Sequence, residues 1–224
     1  MTLLAIDSST HAGGLALYDG NRIRYECIWT RPDTRGADLA PGIQSAFKQT
    51  GLRQSDLKAI GIAIGPGSYT GLRTSLALAK GMVLAYGLTL VAIPTLDIIA
   101  AGLPLQEKPL AAVLQAGRGR LAVGWYKEKK GRWQNHGSPA LMTSIALEES
   151  INKPTLICGE LNEEDRRVLG RKYKNAEIAS PAQCVRRPAL LAELAWARWQ
   201  AGETDEIRGL APIYLQTSEA VPAL

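Results

Sequence analysis

The sequence predicts an α/β protein made of two domains of similar plan, each a mixed sheet opened by an antiparallel meander and flanked by helices. Three observations carry this. The chain opens on three short strand patterns, with a tight turn between the last two. It continues as alternating helix and strand patterns as far as a proline-containing connection, residues 104–109. Past that connection a second meander begins and again gives way to helix and strand, the order expected of a repeated layered unit. The boundaries expected are 1–104 for the first domain and 105–206 for a smaller, more divergent second one. An apolar tail, 207–224, is expected to pack back on the first.

Each element has a local reason. TLLAIDS is apolar and β-friendly with little alternation, as in a strand buried on both faces. GGLALYDGNRIRYECIW reads strand, turn, strand around Asp19-Gly20-Asn21. ADLAPGIQSAFKQTG is helical because its Pro41 falls in the first turns, where proline costs least, and it closes at Gly51. KAIGIAIGPGS gives a strand and a glycine-rich loop, and GLRTSLALAKGMVLAYG a long helix ending at Gly87. TLVAIPT is a strand, with Thr95 expected to cap the short helix LDIIAAG. In the second half LAAVLQAG, RLAVGWYKE and RWQNHGS are strands. SIALEESIN is a helix, PTLICG a strand, ELNEEDRRVLGRK a helix and AEIAS a short strand. Pro188 sits in the first turn of the helix RPALLAELAWARWQAG.

Composition excludes several classes. Across 224 residues, 46% are apolar, enough for a core, and 26 Lys+Arg against 21 Asp+Glu leave only +5. That excess is too small for a nucleic-acid footprint, and the basic run Arg166–Lys174 reads as a solvated helix face. Cys27, Cys158 and Cys184 are far apart and form no CxxC or Cys/His spacing, so neither a disulfide framework nor a zinc site is expected. The N-terminus lacks a basic leader, and no apolar run approaches the roughly 18 residues of a membrane span. A cytoplasmic protein with no membrane partner is expected.

Two stretches could carry chemistry. GIAIGPGSYTGLRTSLALAKG (residues 61–81) has a glycine-rich loop opening a helix, the usual setting of a phosphate site. Yet Gly65 and Gly71 miss the GxxxxGK[ST] spacing by one residue, and Gly65-Gly67 followed by Thr70 misses GxGxxG. What remains is a turn in which Ser68 and Thr70 can cap the helix, or a loop where Gly65, Gly67 and Ser68 contact a nucleotide. Asp7-Ser8-Ser9-Thr10, at the end of the first strand, can orient a metal-bound water and a phosphate, or can be a turn closed by its own side chains. His11 and His136 have no partners at metal-ligand spacing, so no catalytic or metal residues are assigned.

LLAIDSSTHAGGLALYDG, GIAIGPGSYTGLRTSLALAKG, PTLDIIA and APIYLQ, in this order, resemble the TsaB (YeaZ) family of bacterial tRNA threonylcarbamoyladenosine (t6A) synthesis, closely in the first half and more loosely after it. The resemblance implies an actin/Hsp70/sugar-kinase (ASKHA) fold of RNase H-like domains, with the Asp7 turn at the position of the phosphate loop of the active ATPases. It implies a noncatalytic subunit that supports a catalytic paralogue, TsaD, together with the ATPase TsaE. Contact with tRNA would be indirect or weak. A homodimer through the same surface is the alternative association. No cofactor is implied for the isolated chain, with nucleotide at most at the partner interface. The catalytic paralogue carries an HxxxH pair after its third strand, where this chain reads TRGADLAPGIQ. The chain also departs from the family pattern at QAGRGRLAV, through Gln115, Gly117 and Arg120.

The helix after the loop is apolar on more than one side, with small residues recurring, which suggests burial against both its own sheet and a partner. The interface expected on the two N-terminal-domain helices comprises Leu39, Ile43, Phe47, Leu72, Ser75, Leu76, Ala79, Lys80 and Val83. The residues expected at a nucleotide are Asp7, Ser8, Ser9, Gly65, Gly67 and Ser68. The competing function is an ATPase or small-molecule kinase using the Asp7 turn and the Gly65–Gly71 loop.

Overall fold

A computed structural model of the chain describes residues 1–30, 39–172 and 174–215. The strands β1 (Thr2–Asp7), β2 (Ala12–Tyr18) and β3 (Ile23–Thr30) form the opening antiparallel meander. After α1 (Leu39–Thr50), β4 (Leu57–Ala63) returns parallel to β1. The helix α2 (Tyr69–Tyr86) then leads to β5 (Thr89–Ile93), parallel to β4. The order is β3-β2-β1-β4-β5, so β1 is central, and all of its residues are buried.

Alternation along the central strands separates two cores. Leu4, Ile6, Leu15, Leu17 and Ile60 face α1 and α2, meeting Leu39, Ile43, Leu76, Ala79 and Val83. Leu3, Ala5, Ala16, Ala59 and Val91 face the other way. That second face is covered by α6 (Pro188–Gln200), through Leu191, Ala192 and Ala195. The helix lies close because the sheet is built of small residues there: a Cβ added at Gly61 would stand 2.6 Å from the Cβ of Ala195. The 105–206 boundary assigns α6 to the second half, but in space it packs on the first sheet. The reason is that apolar residues cover most of its circumference and the first sheet offers a second uncovered face.

The second sheet repeats the first. Its strands are β6 (Leu110–Gln115), β7 (Arg120–Lys129), β8 (Arg132–Asn135), β9 (Ala140–Thr143), β10 (Thr155–Gly159) and β11 (Ala176–Ile178). The order β11-β10-β6-β7-β8, with β10 and β11 parallel to β6 and β7 antiparallel to it, matches the first sheet strand for strand. The third position is shared: β8 pairs with Tyr126–Lys129 and β9 with Arg120–Val123, along one edge of the long β7. The helices α4 (Ser144–Ser150) and α5 (Glu163–Leu169) cover one face, Leu147 and Leu169 packing on Val113 and Ile157. The helix α3 (Thr95–Ala101) serves both sheets, sending Ile98 into the first core and Leu96 and Ile99 into the second. Two mixed sheets flanked by helices, each opened by a meander, are thus the architecture of the chain.

Thr95 does not cap α3; Pro94 precedes its first turn, and the Thr95 hydroxyl accepts from the Gly65 amide at 3.0 Å while the Thr95 amide donates to the Gly65 carbonyl at 2.8 Å. Gly65 has φ +106, a left-handed conformation that excludes most side chains, and this pair of bonds fixes it. The tail runs back along the first sheet. Asp205 Oδ2 accepts from the Ala92 amide at 2.8 Å and Arg198 Nη1 donates to the Ala92 carbonyl at 2.5 Å, closing the exposed edge of β5. Ile213 N donates to the Ile64 carbonyl at 2.7 Å, and Lys80 Nζ to the Leu210 carbonyl at 2.8 Å. Residues 216–224 of the expected tail lie outside the described residues. No helix among the described residues is long and apolar enough to cross a membrane.

Candidate functional site

The β1–β2 turn and the loop before α2 meet backbone to backbone. Ser68 N donates to the Ser9 carbonyl at 2.5 Å, and Ser8 Oγ to the Gly71 carbonyl at 2.8 Å. A Cβ at Gly67 would stand 2.1 Å from the Ser9 oxygen, and one at Gly71 would stand 2.1 Å from the Ser8 oxygen. These glycines therefore let two segments of the chain touch, and the space that a phosphate loop keeps open is filled by the protein's own backbone. Ser68 caps α2, its hydroxyl accepting from Gly71 N at 3.3 Å. The Thr70 side chain makes no such cap.

Asp7 is sequestered. Its Oδ1 accepts from the Ser9 amide at 2.9 Å and the Ser9 hydroxyl at 2.5 Å. Its Oδ2 accepts from Arg186 Nε at 2.5 Å, and both side chains are only 2% exposed. Arg186 continues across the gap between the sheets: Nη1 donates to Glu160 Oε1 at 2.8 Å, and Nη2 to the Ala12 carbonyl at 2.7 Å and to Thr10 Oγ1 at 3.0 Å. Thr10 in turn donates to Glu160 Oε1 at 2.5 Å. Burial by itself pulls the guanidinium pKa down, but Asp7 and Glu160 hold it above the ordinary arginine value. A buried cation thus joins the end of β1 to the end of β10, saturating the one carboxylate that β1 presents. Among the described residues no group of three or more His, Cys, Asp and Glu side chains could hold a metal ion.

In front of this cluster a cleft of about 1050 Å³ lies between the two halves. Its polar lining includes Thr10, His11, Ser68, Gln115, Arg120 and Glu160. Of the six residues expected at a nucleotide, Gly67 and Ser68 line the cleft, whereas Asp7, Ser8, Ser9 and Gly65 stand behind its wall. The unusual QAGRGR segment is the tip between β6 and β7. Gln115 Nε2 is held by Asp165 Oδ2 at 2.6 Å, while Arg120 Nε has no hydrogen-bond partner. Arg120 thus brings an arginine side chain to the lining of the cleft, with its Nε buried.

The expected interface residues divide sharply. Leu39, Ile43, Leu72, Ser75, Leu76, Ala79 and Val83 are buried within the chain itself, with Ile43 also lining the open groove beside α1. The hydrophobic effect already uses them, because the first sheet needs this face of α1 and α2 as its cover. Phe47 is half-buried at the groove between the helices, and Lys80 is tied to the tail. The outward face of α2 carries other residues: Leu84 is 72% exposed, Tyr86 is 47% exposed, and a Cβ at Gly81 would meet nothing within 4 Å. Tyr86, with Ala40, Gln44, Phe47, Leu78 and Met82, borders an open groove of about 680 Å³, and Leu84 and Gly81 lie on α2 outside it.

The basic run is largely the expected solvated face, with Arg167 and Arg171 exposed, but Arg166 departs from it. Arg166 turns inward, Nη1 donating to the Ala179 carbonyl at 3.1 Å, and Arg167 lies 3.8 Å from Glu164. Of the TRGADLAPGIQ segment, residues 34–38 lie outside the described residues.

The family described as "TsaD: tRNA N6-adenosine threonylcarbamoyltransferase" matches residues 36–169, more than half of the chain. The chain belongs to this TsaD family. Two relatives match it over nearly their whole length, both named tRNA threonylcarbamoyladenosine biosynthesis protein TsaB. The Bacillus subtilis protein is 28% identical, covering 98% of this chain and 96% of the relative. The Escherichia coli protein is 26% identical over the same shares. Among solved structures, YeaZ from Pseudomonas aeruginosa superposes with a TM-score of 0.78 at 24% identity, covering 96% of this chain and 99% of that one. The expected resemblance and fold therefore hold, and the match to the TsaD family spans both sheets.

Sequence reasoning missed Arg186, which no local pattern distinguishes from Arg187. A signal existed: two cations stand where a helix begins, a position the helix dipole disfavours unless carboxylates compensate. Glu26 on β3 does so for α6, accepting from the Ala189 amide at 3.0 Å and pairing with Arg187.

Proposed function

We propose that this chain is a noncatalytic, partner-binding subunit in the synthesis of tRNA threonylcarbamoyladenosine. It supports a catalytic paralogue of the TsaD type, with a TsaE-type ATPase joining them. The observation that carries this is the state of Asp7. The only carboxylate that β1 offers to a metal or phosphate is neutralised and buried by Arg186. This weighs against an ATPase or kinase built on the Asp7 turn.

The partner surface is the outward side of α1 and α2, where Leu84, Tyr86 and the open Gly81 leave apolar area uncovered. Small residues at Ala77, Gly81 and Ala85 recur every four positions, letting another helix come close. The same surface would serve self-association when the partner is absent. A nucleotide held by the assembly would meet Ser68 and Arg120 at the cleft rather than Asp7, and tRNA would be touched chiefly by the partner.

Mixing this chain with its cognate catalytic paralogue and the ATPase tests the reading. The expected result is threonylcarbamoyl transfer to tRNA only in the full mixture, and none by this chain alone. Transfer that proceeds equally well without this chain would overturn it.

A further inference from the structure

Cys158 and Cys184, 26 residues apart in sequence, meet with their sulfurs 3.8 Å apart. Cys158 is the buried penultimate residue of β10. Cys184 is partly exposed and ends a turn in which the amide of Ser180 donates to Gln183 Oε1 at 3.0 Å and the amide of Gln183 to Ser180 Oγ at 3.3 Å. Arg166 points its Nη2 at Cys184 Sγ from 3.5 Å, and the bond of its Nη1 to the Ala179 carbonyl fixes that aim. Two thiols in contact, one buried and one accessible beside a guanidinium, differ from two cysteines that merely fill space.

We propose that Cys158 and Cys184 form a redox-active dithiol, with Cys184 as the attacking thiolate, Cys158 as the resolving thiol and hydrogen peroxide as oxidant. The electrostatics favour that division of roles. The hydrogen bond from Cys158, with help from the Gly159 backbone and Arg166, brings the Cys184 thiol down to about 6 against the opposing effect of burial. Its bond to Cys184 and burial push the Cys158 thiol up. Cys184 sulfur attacks one peroxide oxygen; an S–O bond forms, the O–O bond breaks, and hydroxide leaves. Cys158 gives its proton to that hydroxide, making water, and its sulfur attacks the Cys184 sulfenic acid. The S–S bond forms as the S–O bond breaks, and the hydroxide released takes from solvent the proton that Cys184 gave up on ionising, becoming a second water. Two thiols lose two electrons to one peroxide, which ends as two waters.

Closing from 3.8 Å to a bond of about 2.05 Å needs movement of the side chains and of the 180–184 turn, which is a loop and not a strand. The position gives the bond a consequence. Glu160 follows Cys158 by two residues, and Arg186 follows Cys184 by two. The disulfide would tether the same two segments that the Arg186–Glu160 ion pair joins, immediately behind it.

The test uses the reduced full chain and hydrogen peroxide at equal concentration, followed by alkylation and digestion without reductant. The expected product is a peptide pair linked through Cys158 and Cys184, with the intact monomer lighter by two hydrogens, restored by dithiothreitol, and with Cys27 still alkylated. The Cys158→Ser variant should stop at a sulfenic acid on Cys184 that dimedone traps. Oxidation that reaches Cys27 first, or that carries Cys184 to sulfinic acid while Cys158 remains a free thiol, would overturn the proposal. So would a Cys184 that stays fully reduced.

Discussion

Arg186 Nε stands 2.5 Å from Asp7 Oδ2, across 179 residues of chain, with both side chains almost wholly out of water. The pair fills the end of β1 with a positive charge that belongs to the protein. Removing the cation alone would strand a buried carboxylate, which costs about 3–5 kcal/mol. Arg186→Met is therefore expected to lose that much in urea unfolding at neutral pH. Arg186→Lys recovers only part of it, because an ammonium cannot span Asp7, Glu160 and the Ala12 carbonyl together. The double variant Arg186→Met/Asp7→Asn should be more stable than Arg186→Met. A loss within about 1 kcal/mol, the scale of an exposed pair, would show that the pair is not buried as described.

Glycines of the same helix and loop should respond in opposite directions. Gly67→Ala and Gly71→Ala each drive a methyl against a backbone oxygen that cannot withdraw without separating the two loops. A loss of about 1–3 kcal/mol or more is expected for each. Gly81→Ala meets open space on α2, where replacing glycine in a helix gains about 0.5–1 kcal/mol. Thermal melts of the three variants compare them directly.

The outward face of α2 separates association from stability. Leu84→Asp alters a largely exposed position, so the melting temperature of the isolated chain should move little. Binding to the catalytic paralogue, measured by light scattering or calorimetry, should fall at least tenfold. Leu76→Ala, in the core, should show the reverse priority, losing about 2–5 kcal/mol of stability. Unchanged binding by Leu84→Asp would move the interface elsewhere.

Thiolate chemistry predicts a pH profile. Alkylation of reduced Cys184 by iodoacetamide should rise as pH increases through about 6 and then level off, since only the thiolate reacts. Arg166→Gln removes one of the groups that favour the thiolate, so the midpoint should shift upward while the limiting rate at high pH is kept. A midpoint near the ordinary thiol value in the wild-type chain would contradict the geometry around Cys184.

Asp97 offers a second titration. Burial raises its pKa above 3.8, against the Tyr126 hydroxyl, which donates to it at 2.6 Å, and Arg198. A carboxyl raised in the folded state contributes stability at pH below its unfolded pKa and loses it as pH rises through the folded one. Asp97→Asn keeps an acceptor for Tyr126 without the charge. It should therefore gain stability relative to wild type at neutral pH, and the gain should vanish in acid. Denaturation at two pH values reads this out.

Much of the fold was legible because its signals are local. The all-apolar β1, the Asp19-Gly20-Asn21 turn, the Gly87 stop and Pro188 at a helix start each depend on neighbours within a few residues. The short β9 carries only four residues, too few for a pattern of its own, and so had no place among the strands read from the sequence. The functional face of α2 was harder. Its apolar residues surround the helix, and periodicity alone does not say which side the sheet takes. Ser75, Leu76 and Ala79 went inward, leaving Gly81 and Leu84 outside. Arg186 and the Cys158–Cys184 contact depend on partners 26 to 179 residues away; two arginines before Pro188 signal a need for carboxylates but not which ones. The glycine-rich loop was visible as a special backbone, but what approaches it proved to be the chain's own Ser8–Ser9 turn.

The return of α6 to the first sheet imposes an order on synthesis. Leu3, Ala5, Ala16, Ala59 and Val91 are all made early, yet the helix that covers them begins only at Pro188. A nascent chain emerging from the ribosome therefore carries one finished face and one bare apolar face for most of its translation. The second sheet, by contrast, has its own strands complete by Ile178. The half synthesised later can thus close before the half synthesised first, and the first half must wait with that face exposed to chaperones and to other nascent chains.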